Sequence, residues 1–148
     1  MKIKKIILML PMLLFVCFGC KNDEVDYPVE IMFIDCSLDK TNCSVKHFEN
    51  DKVFIINSIG DLKNNYISCS DDSYPVIDFS KHTLLLAKGT ATNGIKSIVK
   101  KLRQVSKNKY VLDVEVTLND TCEVGVWQVA IITSKLNKKS NIELNVNY

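Results

Sequence analysis

The stretch that decides the fold is Thr83-Leu84-Leu85-Leu86-Ala87, an apolar run in the middle of the chain. Its three consecutive leucines do not alternate with polar residues, and the run is too short for an ordinary helix, so it predicts a strand that is buried on both faces. Turn-forming residues bound it, with Val76–His82 before it and the flexible loop Gly89–Gly94 after it. A strand of this kind lies in the centre of a sheet.

The segments on either side predict further strands. Tyr110–Val116 alternates cleanly between apolar and polar residues, and Ile142–Val146 has the polar alternate face of an edge strand. One short helix is predicted from Ser58, a natural N-cap, to about Tyr66. The fold class is therefore α+β and β-dominated, a mostly antiparallel sheet with one short early helix. The other predicted strands are Ile31–Ile34, Val53–Ile56, Ile95–Arg103 and Val124–Ser134.

Trp127 is the only tryptophan of the chain. In the alternating run Val124–Ser134 it shares a face with Val129 and Ile131, which predicts that it fills the core. The alternative is an exposed hot spot for binding.

The N-terminus has the layout of a secretory signal peptide. Lysines precede the apolar segment Ile6–Phe18, which is shorter than a dependable membrane span. The end of this segment, Cys17-Phe18-Gly19-Cys20, resembles a bacterial lipobox, and this resemblance implies that Cys20 is lipidated and becomes the new N-terminus. The competing interpretation, a redox Cys-x-x-Cys motif, needs a βαβ context that this segment lacks.

The signal peptide determines the domain bounds and the cellular location that we expect. Residues 1–19 are the signal peptide, 20–50 a tether and irregular N-terminal segment with a short edge strand, and 51–148 a single β-rich domain. The expected location is the bacterial envelope, lipid-anchored to the periplasmic or surface face of the outer membrane. Lys21–Glu24 resembles the acid-bearing export tract of Bacteroidetes-type surface lipoproteins; the alternative is a solvated spacer.

Charge argues against a nucleic-acid partner. The whole chain carries +2, and the signal holds three lysines and no acid, so the mature protein carries 2 − 3 = −1. No basic stripe with interleaved aromatic residues remains, and we expect no nucleic acid and a monomer.

Four cysteines remain in the mature domain: Cys36, Cys43, Cys69 and Cys122. In an exported protein an even set predicts two disulfides, with three possible connectivities. The favoured pairing is Cys36–Cys43 with Cys69–Cys122. The alternative for the first pair is a metal site with His47, but the spacing matches no zinc pattern and a fourth ligand is missing, so no metal is predicted.

The sequence contains no recognisable set of catalytic residues. His82 with Asp78 is the candidate pair for a hydrolase or metal-dependent enzyme, and no nucleophile elbow occurs. The glycines of Gly89–Gly94 are not followed by the lysine of a phosphate loop. Asp71 and Asp72 lack the alternating oxygen donors of a calcium loop. The prediction is a non-catalytic protein without a cofactor.

Recognition is instead expected on polar loops, which rigid sheets commonly present to partners. Two segments are candidates for contact with a partner, and their residues are Gly89, Thr90, Thr92, Asn93, Gly94 and Ile95 in the first and Asp71, Asp72 and Tyr74 in the second. A glycan-binding accessory protein is the third alternative, for which the available aromatic residues are Tyr27, Tyr66, Tyr74 and Tyr148.

The order of elements resembles the C-terminal domain of the PrcB-like protease-complex proteins. The resemblance covers Val53 to Tyr148, through "IDFSKHTLLLAKG" (77–89), a glycine-containing loop, a hairpin and "VWQVAIITSK" (126–135). It implies a lipoprotein that associates with an exported protease and stabilises it. In that family the loop commonly ends in Gly-Gly and an aromatic residue, whereas this chain has Asn93-Gly94-Ile95.

Overall fold

A computed structural model describes residues 25–36, 38, 42–46, 49–70 and 73–148. The predicted Cys20 anchor, together with Asp71 and Asp72, lies outside these residues. The strands are β1 (Val29–Ile31), β2 (Phe33–Asp35), β3 (Cys43–Val45), β4 (Val53–Ile56), β5 (Ile67–Cys69), β6 (His82–Ala91), β7 (Ile95–Ser106), β8 (Lys109–Leu118), β9 (Gly125–Ser134) and β10 (Asn141–Asn147).

Two four-stranded sheets contain most of these strands. The first, sheet A, has the order β1-β7-β8-β10, and the second, sheet B, has the order β2-β9-β6-β4. All neighbours are antiparallel except β10, which runs parallel to β8. A separate two-stranded ribbon joins β3 to β5. The predicted class, β-dominated with a single short helical segment, is confirmed.

The first core lies between the two sheets. It contains Trp127, Val129 and Ile131 from β9 together with Leu112, Val114 and Val116 from β8. Trp127 is only 1% exposed, so the prediction that it fills the core is confirmed. The period of two in β8 and β9 sends every second side chain to this side, as the alternation predicts.

A second core covers the other face of sheet B. The helical segment and the ribbon supply Leu62 and Ile67, which pack on Leu84 and Leu86 of β6. Leu85 and Ala87 point to the first core instead. The run Thr83–Ala87 is therefore buried on both faces because a layer packs on each side of its sheet, as its composition predicts.

The helical segment begins as predicted and then widens. The Ser58 Oγ accepts a hydrogen bond of 3.1 Å from the backbone N–H of Asp61. The α-helix α1 covers only Ile59–Asp61, and a π-helical turn follows over Leu62–Tyr66. Ile59 in α1 is 44% exposed, whereas Leu62 at the start of the π turn is fully buried. Within the described ranges, no helix has the length and apolarity to cross a bilayer.

The expected irregular segment over residues 20–50 requires correction. It contributes β1 to the edge of sheet A, β2 to the edge of sheet B, and β3 to the ribbon. Met32 separates β1 from β2, so the predicted single strand Ile31–Ile34 is divided between the two sheets. Three-residue edge strands show little periodicity in sequence, because their pairing depends on the strand that they join.

The favoured disulfide pairing is wrong. Cys43 is bonded to Cys69, and both Cys36 and Cys122 are free thiols. The reason is strand register: Cys43 and Cys69 lie directly opposite each other in the β3–β5 ribbon, with their Cα atoms 4.0 Å apart. Burial raises the pKa of the Cys36 thiol, whereas Cys122 is exposed in the β8–β9 connection.

Candidate functional site

The predicted binding loop Gly89–Ile95 is largely part of the sheets. Gly89 and Thr90 belong to β6, and Ile95 begins β7. Gly89 lies opposite Trp127 in the strand register. The Trp127 indole N–H donates to the Tyr148 hydroxyl, which donates to the carbonyl of Thr90, each over 3.0 Å. This end of the predicted loop therefore supports the core.

The true connection, 92–94, is packed against the β8–β9 connection. The Gly94 N–H donates to the Thr121 Oγ1 over 3.2 Å, and the Gly94 carbonyl accepts from the Asn119 N–H over 2.8 Å. A β-carbon on Gly94 would lie 2.5 Å from the Asn119 Oδ1. Thr90 and Thr92 are exposed, so these two residues remain the parts of the predicted loop that a partner can reach.

The second predicted segment borders an open apolar depression, which we call the Tyr74 surface. It has a volume of about 370 Å³, and its lining residues are Ile59, Lys63, Tyr74, Pro75, Val76 and Ile77. Val76 is fully exposed. Tyr74 packs at the same time against the second core, which holds its ring in place.

The Tyr74 surface combines an aromatic anchor with apolar and cationic neighbours. The Lys63 Nζ lies 4.4 Å from the centre of the Tyr74 ring, a cation–π geometry. Aromatic rings with apolar neighbours and a polar rim are typical of protein-binding surfaces. The sequence predicted Tyr74 as a contact but missed Val76 and Ile59. The signal available was the apolar run Tyr74-Pro75-Val76-Ile77, which has no strand-like alternation.

His82 and Asp78 are close together, but the carboxylate does not bond the imidazole. The His82 Nδ1 lies 3.3 Å from the backbone carbonyl of Asp78. The Asp78 carboxylate instead accepts hydrogen bonds from the N–H and hydroxyl of Ser80, at 3.0 and 2.5 Å. These bonds lower the pKa of Asp78 and hold the turn that leads into β6. Among the residues that the structure describes, no three His, Cys, Asp or Glu side chains gather as a metal site.

The tyrosines expected of a glycan site have different surroundings, and two of them, Tyr66 and Tyr74, pack on the second core. Tyr66 packs on Phe54 with 5.3 Å between ring centres, and the Tyr148 hydroxyl accepts a hydrogen bond from the Trp127 indole N–H. Tyr27 is 39% exposed and precedes β1. These contacts do not form one aromatic platform.

The outer face of sheet A carries a polar network that was not among the sites predicted from the sequence. The Arg103 guanidinium donates to both oxygens of Asp113, at 2.6 and 3.0 Å, and Asn145 donates to the same carboxylate at 2.9 Å. The hydrogen bonds from Arg103 are the main reason that the pKa of Asp113 lies below its ordinary value. The alternation in Tyr110–Val116 was the signal, because it places Asp113 opposite the apolar face.

We expect Asp113→Asn to make the free energy of unfolding less dependent on pH in the acidic range. A carboxyl group whose pKa is lowered by folding stabilises the folded state. This stabilisation is complete at pH values above the ordinary carboxyl pKa and is lost as the pH falls through the pKa of the folded state. The variant should lose up to about 1 kcal/mol near pH 7, because the pair is partly exposed, and should equal the wild type at the most acidic pH. Urea unfolding from pH 7 down to pH 3 measures this. A loss that is independent of pH would contradict the assignment.

Comparison with known proteins does not identify the chain: no protein-family model, curated protein or solved structure matches it.

Proposed function

We propose that this protein is an envelope-anchored, non-catalytic lipoprotein that binds a protein partner through the Tyr74 surface. The single observation that carries the proposal is the exposure of Val76 and Ile59 beside Tyr74 in an open depression. Exposed apolar groups around a fixed aromatic ring are energetically unfavourable in water and favourable in an interface.

The surrounding fold favours a rigid docking site over a mobile one. Tyr74 and Ile77 both pack on the second core, and the Ile59 helix is capped by Ser58. The Cys43–Cys69 disulfide joins the two strands of the ribbon, and Cys69 packs on the same core. A preorganised surface loses little entropy on binding, which raises affinity for a given contact area.

The resemblance to the PrcB-like proteins suggests the class of partner. It implies association with an exported protease, and the lipobox-like Cys20 would hold both proteins at the envelope. Under this proposal the bound protein is stabilised by contact, and the chain performs no reaction of its own.

An in-cell crosslinking pull-down with a C-terminal tag tests the proposal in the native host. We expect one exported protease or envelope protein to be recovered with the wild type. Val76→Glu should reduce its recovery at least about tenfold, because a charge in the centre of an apolar contact is costly to desolvate. The matched control is Val124→Glu, since Val124 is also a highly exposed valine, at 74%, but lies before β9.

The contrary outcomes are equally specific. Equal recovery with Val76→Glu and Val124→Glu would refute the Tyr74 surface. Loss on replacing Thr92 and Asn93 by Ala would move the contact to the β6–β7 connection. Recovery of no protein above background would refute a protein partner, and ligand screening would follow.

A further inference from the structure

Met32 and Ile34 form an exposed apolar surface at the edge of sheet B. Met32 is 88% exposed and Ile34 is 67% exposed. Phe33, between them, packs into the first core, so Ile34 points to the outer side of the sheet. The two residues line a shallow depression of about 210 Å³, together with Ile132 and His82.

An apolar edge strand in water invites association, so proteins normally charge it or cover it. Here β2 is one of the two edge strands of sheet B and carries Ile34 on its outer side. Four of the ten large hydrophobic side chains that are exposed in the described residues fall within residues 25–34, namely Val25, Tyr27, Met32 and Ile34. Exposed apolar groups are therefore concentrated in the part of the chain nearest to Cys20.

The chain length limits how far this region can move from a lipid on Cys20. Five residue steps separate Cys20 from Val25, the first described residue, and an extended chain spans at most about 3.6 Å per step, or about 18 Å. A tether of this length keeps the surface at a high effective concentration beside the bilayer. A weak apolar contact is then sufficient to orient the domain.

The charges around the depression permit a close approach to phospholipid headgroups. Lys81 adjoins the lining residue His82, and its Nζ lies 3.5 Å from the Asp78 carboxylate. Lys135 adjoins the lining residue Ser134, and its Nζ donates to the carbonyl of Phe79 over 2.6 Å. These two lysines carry positive charge beside the depression, and positive charge is attracted by anionic lipids.

We propose that Met32 and Ile34 rest on the bilayer that holds the lipid anchor, so that sheet B faces the membrane at its β2 edge. The polar outer face of sheet A, with Val99 and the Arg103–Asp113 pair, then faces away from it. This inference rests on the lipid anchoring in the proposed function, and it adds a defined orientation. Interfacial apolar side chains of this kind enter the boundary between headgroups and acyl chains.

Fluorescence quenching by brominated lipids tests this orientation in the mature, lipidated full chain. The protein is reconstituted in vesicles of phosphatidylethanolamine and phosphatidylglycerol, with and without bromine on the acyl chains. The variants are Ile34→Trp and the matched control Val99→Trp, which is half exposed on the opposite face. Native Trp127 is buried and contributes the same background to both.

We expect bromine to reduce the added emission of Ile34→Trp by about half, as insertion at the headgroup boundary requires, and to leave Val99→Trp unchanged. Flotation with the vesicles is measured in parallel. Failure of the wild type to float would refute the lipid anchor and this inference with it. Flotation with equal quenching at both positions, or with none, would refute the orientation alone. Shielding of Ile34→Trp from aqueous iodide without quenching by bromine would show a protein cover and would also overturn it.

Discussion

Gly89→Ala is expected to destabilise the protein by about 3 kcal/mol, because the added methyl group has no space. A β-carbon at this position would lie 2.5 Å from the Trp127 Cε2 and 2.7 Å from the Asp51 Oδ1. The indole cannot move aside freely, since its N–H is bonded to Tyr148 and its ring is buried between the sheets. Urea unfolding followed by far-ultraviolet circular dichroism measures the loss.

The matched control is Gly60→Ala in α1, where a β-carbon would meet nothing within 4 Å. Alanine is the better helix former, so this variant should be neutral or more stable by up to about 1 kcal/mol. If Gly89→Ala were as stable as the wild type, the close packing of Trp127 on β6 would be wrong. A loss of partner binding without loss of stability would instead return Gly89 to the binding site that the sequence predicted.

Removing the disulfide is the second change with a large expected effect. Cys43→Ser with Cys69→Ser opens a loop of sequence separation 26, and the chain-entropy model assigns such a closure about 3.5 kcal/mol. The ribbon is only two strands of three residues, which would not be stable in isolation. We therefore expect lower stability toward urea and faster proteolysis within residues 43–69.

Cys122→Ser and Cys36→Ser separate this pairing from the one that the sequence favoured. With Cys43 bonded to Cys69, Cys122→Ser should change stability by less than about 0.5 kcal/mol, since Cys122 is exposed and unbonded. Peptide mapping without reduction should recover Cys43 linked to Cys69 and should leave both other thiols open to alkylation. A recovered Cys69–Cys122 peptide would contradict the structure.

The strands could be predicted where their own composition required burial. Thr83–Ala87 needs apolar neighbours on both faces whatever the topology. The alternation in Tyr110–Val116 requires one solvent-exposed face and one buried face. β1 and β2 lacked this signal because three residues are too few to show a period. The extension of β6 to Ala91 was missed because Gly89 normally weakens a strand, whereas here its missing side chain makes room for Trp127.

The candidate site was only partly predictable for a related reason. Tyr74 is predicted as a contact, but Val76 and Ile59 are exposed while their neighbours Ile77 and Leu62 pack on the second core, a difference that depends on tertiary packing. The loop glycines are predicted to bind a partner because glycine permits a mobile loop. Glycine also permits close packing, and composition does not distinguish these two uses. Only the position of the neighbouring strand shows which use applies.

By itself, the sequence determined the β-dominated class, the buried central strand, the capped start at Ser58 and the burial of Trp127. These features follow from local periodicity and from the free energy of removing apolar groups from water, both of which act on short segments. The tertiary structure alone decided the two sheets, the Cys43–Cys69 bond and the place of Gly89 beneath the indole. Each of these depends on which residues, distant in sequence, come into register, and that register is set by the packing of the whole domain.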